Sequence, residues 1–217
     1  MKQKIAVIGF GAAAIGFIEK IKDSGFEIHV FEKSKDIYSS SISGIRADGK
    51  LFVSREMGGD IEIDIELQKK LVDYYINFTN DKHVETGHSF TNEVYYKKFY
   101  EKGFQPITSD FYHIGTDQLK EVLYNIYEHF KKIKNIYFHF EQEITEVEVL
   151  EKSIRLSNGE IFDKVIVGVG RSGHKLVNKI ISKYPQLILD NSKVDLGIRY
   201  ELPNHIVEEL NKEMYEF

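Results

Sequence analysis

The stretch IAVIGFGAAAIGF, residues 5–17, decides the fold. Lys4–Ile8 is a short apolar run of strand length that stops at Gly9. Ala12–Asp23 then reads as a helix, with Ile15, Ile18 and Ile21 spaced for one face and Gly25 as its C-terminal stop. Glu27–Phe31 is the next strand, with Glu32 at its end. Strand, helix and strand within about 30 residues imply a parallel pair joined by a crossover helix. The turn between the first strand and the helix carries Gly9-x-Gly11-x-x-Ala14. This is the spacing of a dinucleotide-binding loop, whose third position accepts Ala because close helix–strand packing is the need there. Gly9 allows the tight turn. Gly11, with no side chain, lets a pyrophosphate approach the backbone, and Ala12 and Ala13 open a helix whose free N–H groups favour an anion. A glycine triplet alone is weak evidence. Here it comes with the preceding strand, the following helix and a carboxylate, Glu32, 21 positions beyond Gly11. That carboxylate can accept hydrogen bonds from both adenine-ribose hydroxyls and would repel a 2′-phosphate, which disfavours NADP. Dinucleotide binding is favoured over a glycine turn used only for packing. The loop itself leaves FAD and NAD both open.

Composition narrows the remaining classes. The chain has 217 residues, enough for one globular domain with a proper core. Lys and Arg number 29 against 34 Asp and Glu, a formal net charge of −5. That balance argues against binding nucleic acid through broad phosphate neutralisation. Cysteine is absent, so disulfides, thiolate metal sites and a cysteine nucleophile are excluded. No apolar stretch reaches the roughly 18 residues of a membrane span. Lys2 and Lys4 before the apolar run imitate a signal peptide, but the two glycines break that run. A cytoplasmic location is the expectation, with no membrane partner.

Further along, residues 33–60 read as loop. Helices are expected at Leu67–Phe78, Tyr95–Lys102, from Thr116 to about Lys132, from the second glycine loop to about Lys183, and at His205–Met214. Strands are expected at Ile107–Ile114 and Ile136–Phe140. Ile144–Leu150, Ser153–Leu156 and Glu160–Phe162 form a three-stranded meander, with Asn158-Gly159 as its last turn. Lys164–Val169 reads as a buried apolar strand, followed by short strands at Leu187–Leu189 and Gly197–Tyr200. The sum is a single α/β domain over 1–217, a Rossmann-like parallel sheet with an antiparallel meander and an inserted subregion at 61–113.

These motifs resemble a bacterial and archaeal family labelled FAD-dependent dehydrogenase or NAD(P)/FAD-dependent oxidoreductase, within the flavoproteins that have two dinucleotide-binding domains. The residues that carry the resemblance are IAVIGFGAAAIGF with VFEK at 30–33, ADGKL at 47–51, MGGD at 57–60, HIGTDQL at 113–119, VIVGVGRSG at 165–173 and GIRYELP at 197–203. It implies FAD as cofactor, with NAD still open, and flavin-mediated hydride or electron transfer to an unidentified substrate. A meander in place of a crossover helix is characteristic of the FAD domains of these proteins. The resemblance implies that Gly9, Gly11 and Ala14 surround the pyrophosphate, with Ala12 and Ala13 between them. Glu32 would take the ribose, Lys33 would flank the adenosine, the backbone near Ile144 would contact adenine, and Gly168 and Gly170 would approach the cofactor. It covers nearly the whole chain but about the N-terminal half of a typical member. The glycine-rich stretch before Asp48-Gly49-Lys50 is shorter than usual. The late Gly-Asp of the superfamily is missing, since no Gly-Asp follows Gly170. A second half or partner subunit completing the flavin site is therefore one expectation. A non-catalytic adenine-dinucleotide module and an NAD-linked dehydrogenase without flavin are the alternatives.

The second loop, Gly168-x-Gly170-x-x-Gly173, also has fingerprint spacing, with Asp190 20 positions beyond Gly170. A second nucleotide site stays open, but a strand-end turn against the FAD is favoured. His174 and Lys175 replace the Lys-Ser/Thr that a phosphate loop requires, and His174 spoils a nucleophile elbow around Ser172. His113 has either an acid–base role or a structural one at the start of the following helix. Arg46 and Lys50 either meet phosphates or sit on a solvated loop. Lys97 and Lys98 among the tyrosines at 95–100 read as an amphipathic helix and not as a stacking platform. The remaining histidines show no ligand-pair spacing, and no metal is assigned. No catalytic residue is named.

Overall fold

The computed structural model describes residues 2–38, 49–54, 64–80, 84–88, 92–106, 109–187 and 201–213. In chain order the elements are β1 (Lys4–Ile8), α1 (Ala12–Ile21), β2 (Glu27–Phe31), β3 (Lys50–Val53), α2 (Ile65–Ile76), β4 (Glu85–His88), α3 (Glu93–Glu101), β5 (Asp110–His113) and α4 (Thr116–Lys131). They continue with β6 (Ile136–His139), β7 (Val147–Val149), β8 (Ile154–Leu156), β9 (Ile161–Phe162), β10 (Lys164–Val167), α5 (His174–Lys183) and α6 (Asn204–Glu213). The chain divides into two compact units, Met1–Ala47 with Leu119–Asp190, and Asp48–Gln118 with Asn191–Phe217.

The first unit is built on a parallel sheet of order β10-β1-β2-β6. Its second strand in that order, β1, is apolar throughout after Lys4 because both faces are covered: Ala6 and Val7 are fully buried. Helix α1 lays Ala14, Ile15 and Ile18 into the core. Helix α4 buries Leu119, Val122, Leu123, Ile126 and Phe130, the stripe that its sequence period implies. The meander β7-β8-β9 is antiparallel, and its last turn is Asn158-Gly159, with Gly159 at φ 88° and the Asn158 Oδ1 accepting the Glu160 N–H. From it Val147, Leu156 and Phe162 join Ala6, Ile8, Phe31, Ile144 and Leu176 in one cluster. Each large side chain buried there contributes about 1.5–3 kcal/mol by removal from water. The expected parallel sheet with a three-stranded meander is thus present.

The second unit contains an antiparallel sheet of order β3-β5-β4. Asp64 caps α2 through the Glu66 and Leu67 N–H groups, and Asn92 caps α3. Gln68 on α2 both donates to and accepts from the Ser54 backbone, which ties the helix to the end of β3. Gly49 (φ 76°) passes so close to Gly115 that a Cβ on it would lie 2.9 Å from that backbone.

Several expectations change. Lys50–Val53 is a strand, not loop, because β5 pairs with it, and Glu85–His88, which carries no expectation from sequence, is a strand paired to β5 as well. Gly87 leaves room for the Phe111 ring, which a Cβ there would meet at 2.9 Å. The strand expected at Lys164–Val169 ends at Val167 and is only half-buried, as it flanks β1 at one margin of the described sheet. The strand at Leu187–Leu189 is replaced at its start by a 3-10 turn, Pro185–Leu187, where proline's fixed φ suits a first helical position. The Gly197–Tyr200 strand lies outside the described residues. Helix boundaries elsewhere move by one to two residues, α1 stopping at Ile21.

A histidine pair lies where β2 and β6 meet the meander. His29 Nδ1 is 2.9 Å from His139 Nε2, and His29 Nε2 is 2.8 Å from the Glu27 carboxylate, which also pairs with Lys4. Phe31 stacks on His139 and Phe162 meets His29 edge-on. Burial, with the neighbouring His29 second, holds His139 below its ordinary value of 6.5, against an opposing pull from Glu160. A base so held stays neutral in the fold while the unfolded chain takes up a proton, so stability is full above 6.5 and declines as pH falls below it. We therefore expect the urea midpoint to drop between about pH 7.5 and about pH 5.5, and His139→Gln to make that drop shallower.

Candidate functional site

The carboxyl ends of β10, β1 and β2 converge on one cleft of about 910 Å³, contained within the first unit. Gly9 continues β1 at φ 88°, and its N–H donates to the Phe31 carbonyl at 2.8 Å. The Gly168 N–H donates to the Ile8 carbonyl at 2.8 Å. These two bonds draw the three strand ends together. A Cβ on Gly9 would lie 2.7 Å from the Gly168 carbonyl oxygen, so the approach of the two loops requires glycine for space as well as for φ. Phe10 points the other way. It is fully buried and meets Phe138 edge-to-face at 5.1 Å and Phe130 at 6.4 Å, which anchors the loop from beneath.

Gly11 is the N-cap of α1 in extended conformation, with no side chain on the helix start. The first-turn N–H groups have no partner within the helix and open on the cleft beside Ala12 and Ala13. Ala14 is the exception among the expected loop residues. It does not line the cleft but is buried behind it, and its Cβ would lie 3.6 Å from one added to Gly168. That is the close helix–strand packing its place in the fingerprint implies.

Glu32 lines the cleft yet is only 5% exposed. Its Oε2 accepts the Phe10 N–H at 3.0 Å. Its Oε1 accepts both the Ser34 N–H at 2.9 Å and the Ser34 hydroxyl at 2.8 Å. Lys33 beside it is exposed and lines the same wall. The backbone here is locked to the segment after β6: the Glu32 N–H donates to the His139 carbonyl, the Gln142 N–H to the Glu32 carbonyl, and the Glu141 N–H to the Ser34 carbonyl. Glu141 takes φ 56°, the only positive φ outside glycine among the described residues. That strain directs Gln142, Ile144 and Thr145 along the cleft.

The second glycine loop opens on this same cleft. Gly170 holds φ 58° and ψ −161°, a region essentially reserved for glycine. A Cβ on Gly173 would strike the Val169 side chain at 2.1 Å. A 3-10 turn, Arg171–Gly173, precedes α5, whose first turn likewise has no side-chain cap. Gly168 and Gly170 therefore sit beside the first loop. Arg171, Lys175 and Lys179 add positive charge to the wall, a contribution hidden in a sequence whose lysines are spread everywhere. Lys179 also donates to the Thr145 carbonyl at 3.2 Å. Ser34 gave no signal of its own, as a short polar residue after a strand reads as loop.

Other candidates fall elsewhere. His113 ends β5 in the second unit, with Nδ1 3.6 Å from the Glu85 carboxylate, and it does not line the cleft. Lys50 begins β3, in register with His113. Arg46, Asp60 and Asp190 lie outside the described residues. Among the described residues there is no group of three or more metal-ligating side chains, and no helix is long and apolar enough to cross a membrane.

No family model and no curated protein matches the chain. Solved structures do. The fructosyl amine:oxygen oxidoreductase amadoriase I from Aspergillus fumigatus superposes with a TM-score of 0.51 at 11% identity, over 81% of this chain and 50% of that one. Glycine oxidase from Geobacillus kaustophilus gives 0.49 at 13% identity, over 82% and 59%. CtdE, solved in complex with FAD, gives 0.47 at 15%, over 78% and 39%. The chain spans about half the length of the solved structures it matches. The fold is the Rossmann-like one of FAD-dependent oxidoreductases.

The contact between the loops sets a stability test. Gly9→Ala forces a side chain into a left-handed position against the Gly168 carbonyl. The backbone term alone costs about 1–3 kcal/mol, so the urea midpoint should fall accordingly, with the steric conflict adding to it.

Proposed function

We propose that the chain binds the adenine-dinucleotide portion of FAD and serves a flavin-dependent oxidoreductase. The observation that carries this reading is the shared geometry of one cleft: a bare glycine cradle, an uncapped helix start and a buried carboxylate. The residues fit the group. The Gly9–Gly168 approach leaves backbone, not side chains, at the strand ends, and α1 presents free N–H groups to two linked phosphates. Glu32 retains acceptor capacity for the ribose beyond what its own neighbours use. Lys33 and the backbone of Gln142–Thr145 would flank the adenosine, and Arg171, Lys175 and Lys179 would balance phosphate charge.

Bound FAD would supply hydride or electron transfer through its ring, while this chain supplies position and charge. Phe10 anchors the cradle through its ring contact with Phe138, and Glu32 holds it by accepting the Phe10 N–H. A second reading is an adenine-dinucleotide module completed by a partner subunit. It is supported by the same cleft, because every lining residue given a role above would contact the adenine-dinucleotide part and none is assigned to the flavin ring. The substrate stays unassigned on both readings.

The test is purification of the full chain without added cofactor. Visible flavin absorbance and about one FAD released per chain on denaturation support the first reading. A colourless protein that binds ADP but not FAD supports the second. In either case Glu32→Ala should weaken ADP by about tenfold or more, the loss of a hydrogen bond to a charged group. An ADP carrying a 2′-phosphate should bind at least about tenfold more weakly than ADP, because the buried carboxylate repels it. Unchanged ADP affinity in Glu32→Ala would overturn both readings.

A further inference from the structure

We infer that the paired imidazoles of His29 and His139 form a proton-operated latch on the cleft: a second charge on the pair parts it and loosens the end of β2, so that nucleotide is released in acid. The inference rests on the adenine-dinucleotide reading above and adds regulation to it.

The pair admits a single positive charge. Glu27 accepts from His29 Nε2 at 2.8 Å and from Lys4 Nζ at 3.0 Å, and these partners hold its carboxyl below the ordinary value of 4.5. An ionised carboxylate only accepts, so His29 Nε2 carries a hydrogen. The 2.9 Å contact between His29 Nδ1 and His139 Nε2 then needs one hydrogen between two nitrogens. If His29 supplies it, His29 is cationic and His139 is neutral. If His139 supplies it, His29 is neutral. With both rings cationic, two N–H groups point at each other across rings whose centroids lie 5.2 Å apart. The groups facing the pair do not remove that conflict. They are Glu27 on β2, Lys4 from β1, Tyr137 on β6, stacked on His29 at 4.9 Å, and Glu160 from the meander. Glu160 draws His139 towards its charged form, but burial and His29 outweigh it.

His139 is tied to the nucleotide cleft twice. Its carbonyl accepts the Glu32 N–H at 2.9 Å. Its ring lies on Phe31 at 4.7 Å, and the Phe31 carbonyl accepts the Gly9 N–H at 2.8 Å. Displacing His139 therefore shifts the carboxylate and the first glycine loop together. The closed pair resists a second proton, whereas a parted His139 takes it up at its ordinary value. The preference for the closed form is thus full above 6.5 and declines as pH falls below it. Ligand held by Glu32 and the glycine loop favours the closed form, so its affinity declines in the same window.

The experiment is calorimetric titration of the full chain with ADP-ribose, whose phosphates are both diesters and keep a constant charge through this range. In the unaltered protein the dissociation constant should rise at least about fivefold from about pH 7.5 to about pH 5.5, with stoichiometry unchanged. At about pH 6, titration in two buffers of different ionisation heat should show protons released on binding. His139→Gln should hold the affinity within about twofold across the range and abolish the release. His29→Gln, which leaves only burial to hold His139 neutral, should give a shallower slope. A profile as steep in either variant as in the unaltered protein would place the titration elsewhere, Glu32 included, and overturn the inference. So would an affinity independent of pH, or a loss of binding sites in acid in place of a change in affinity. Those results leave the nucleotide reading standing, whereas no binding of ADP-ribose at about pH 7.5 sinks both. Should His139→Gln fail to fold, His29→Gln and the proton count in the unaltered protein decide.

Discussion

A carboxylate shut away from water at the end of a β-strand is expensive unless donors surround it. Glu32 meets that demand with the Phe10 N–H and two donors from Ser34, and in doing so it fixes the first glycine loop to the end of β2. Much of the cleft depends on this arrangement. With Phe10 held from above by the carboxylate and from below by Phe130 and Phe138, the loop has little freedom. Gly9 then lies against Gly168, and the second loop is set by the first. The site is thus braced before ligand arrives, which spares binding the cost of ordering a loop.

The parts legible in the sequence are those whose cause is local. The fingerprint at 9–14 needs only its own spacing and the strand before it. The stripe on α4 is written in Leu119, Val122, Leu123, Ile126 and Phe130, and the Asn158-Gly159 turn in two residues. The parts that escaped have causes elsewhere in the chain. Glu85-Thr86-Gly87-His88 has no apolar alternation, and it is a strand because β5 offers a partner and Phe111 fills the space above Gly87. Lys50–Val53 likewise lay within a segment that composition marks as loop. Ser34 escaped for a different reason: its importance comes from the burial of its neighbour, and burial is not written in a dipeptide. At Glu32 the donors from Phe10 and Ser34 come from the fold and are not written in the residue's place after β2.

The same distinction applies to the two glycine loops. As strings they are equivalent, each following a strand and preceding a helix. The fold separates their tasks. The first passes straight from Gly11 into α1. The second interposes a 3-10 turn before α5, and its Gly173 is spent on clearance from Val169. Equal spacing therefore does not give equal cradles, and only the first presents an unobstructed helix start directly at a strand end.

Strand order explains why both loops nonetheless face one space. From β1 the chain crosses through α1 to β2, and β6 then extends the sheet on that side, whereas β10 is added on the other side of β1. Connections leaving β1 and β10 thus diverge, and a crevice opens between them at the carboxyl ends, where open α/β sheets receive ligands. The meander β7-β8-β9 serves this order. It returns the chain from β6 to β10 without covering the crevice and packs Phe162 and Leu156 on the sheet instead. A crossover helix would have brought its own N–H groups to a strand end. The meander leaves that role, among the described residues, to α1 and α5, so the positive ends of both helices border one cleft.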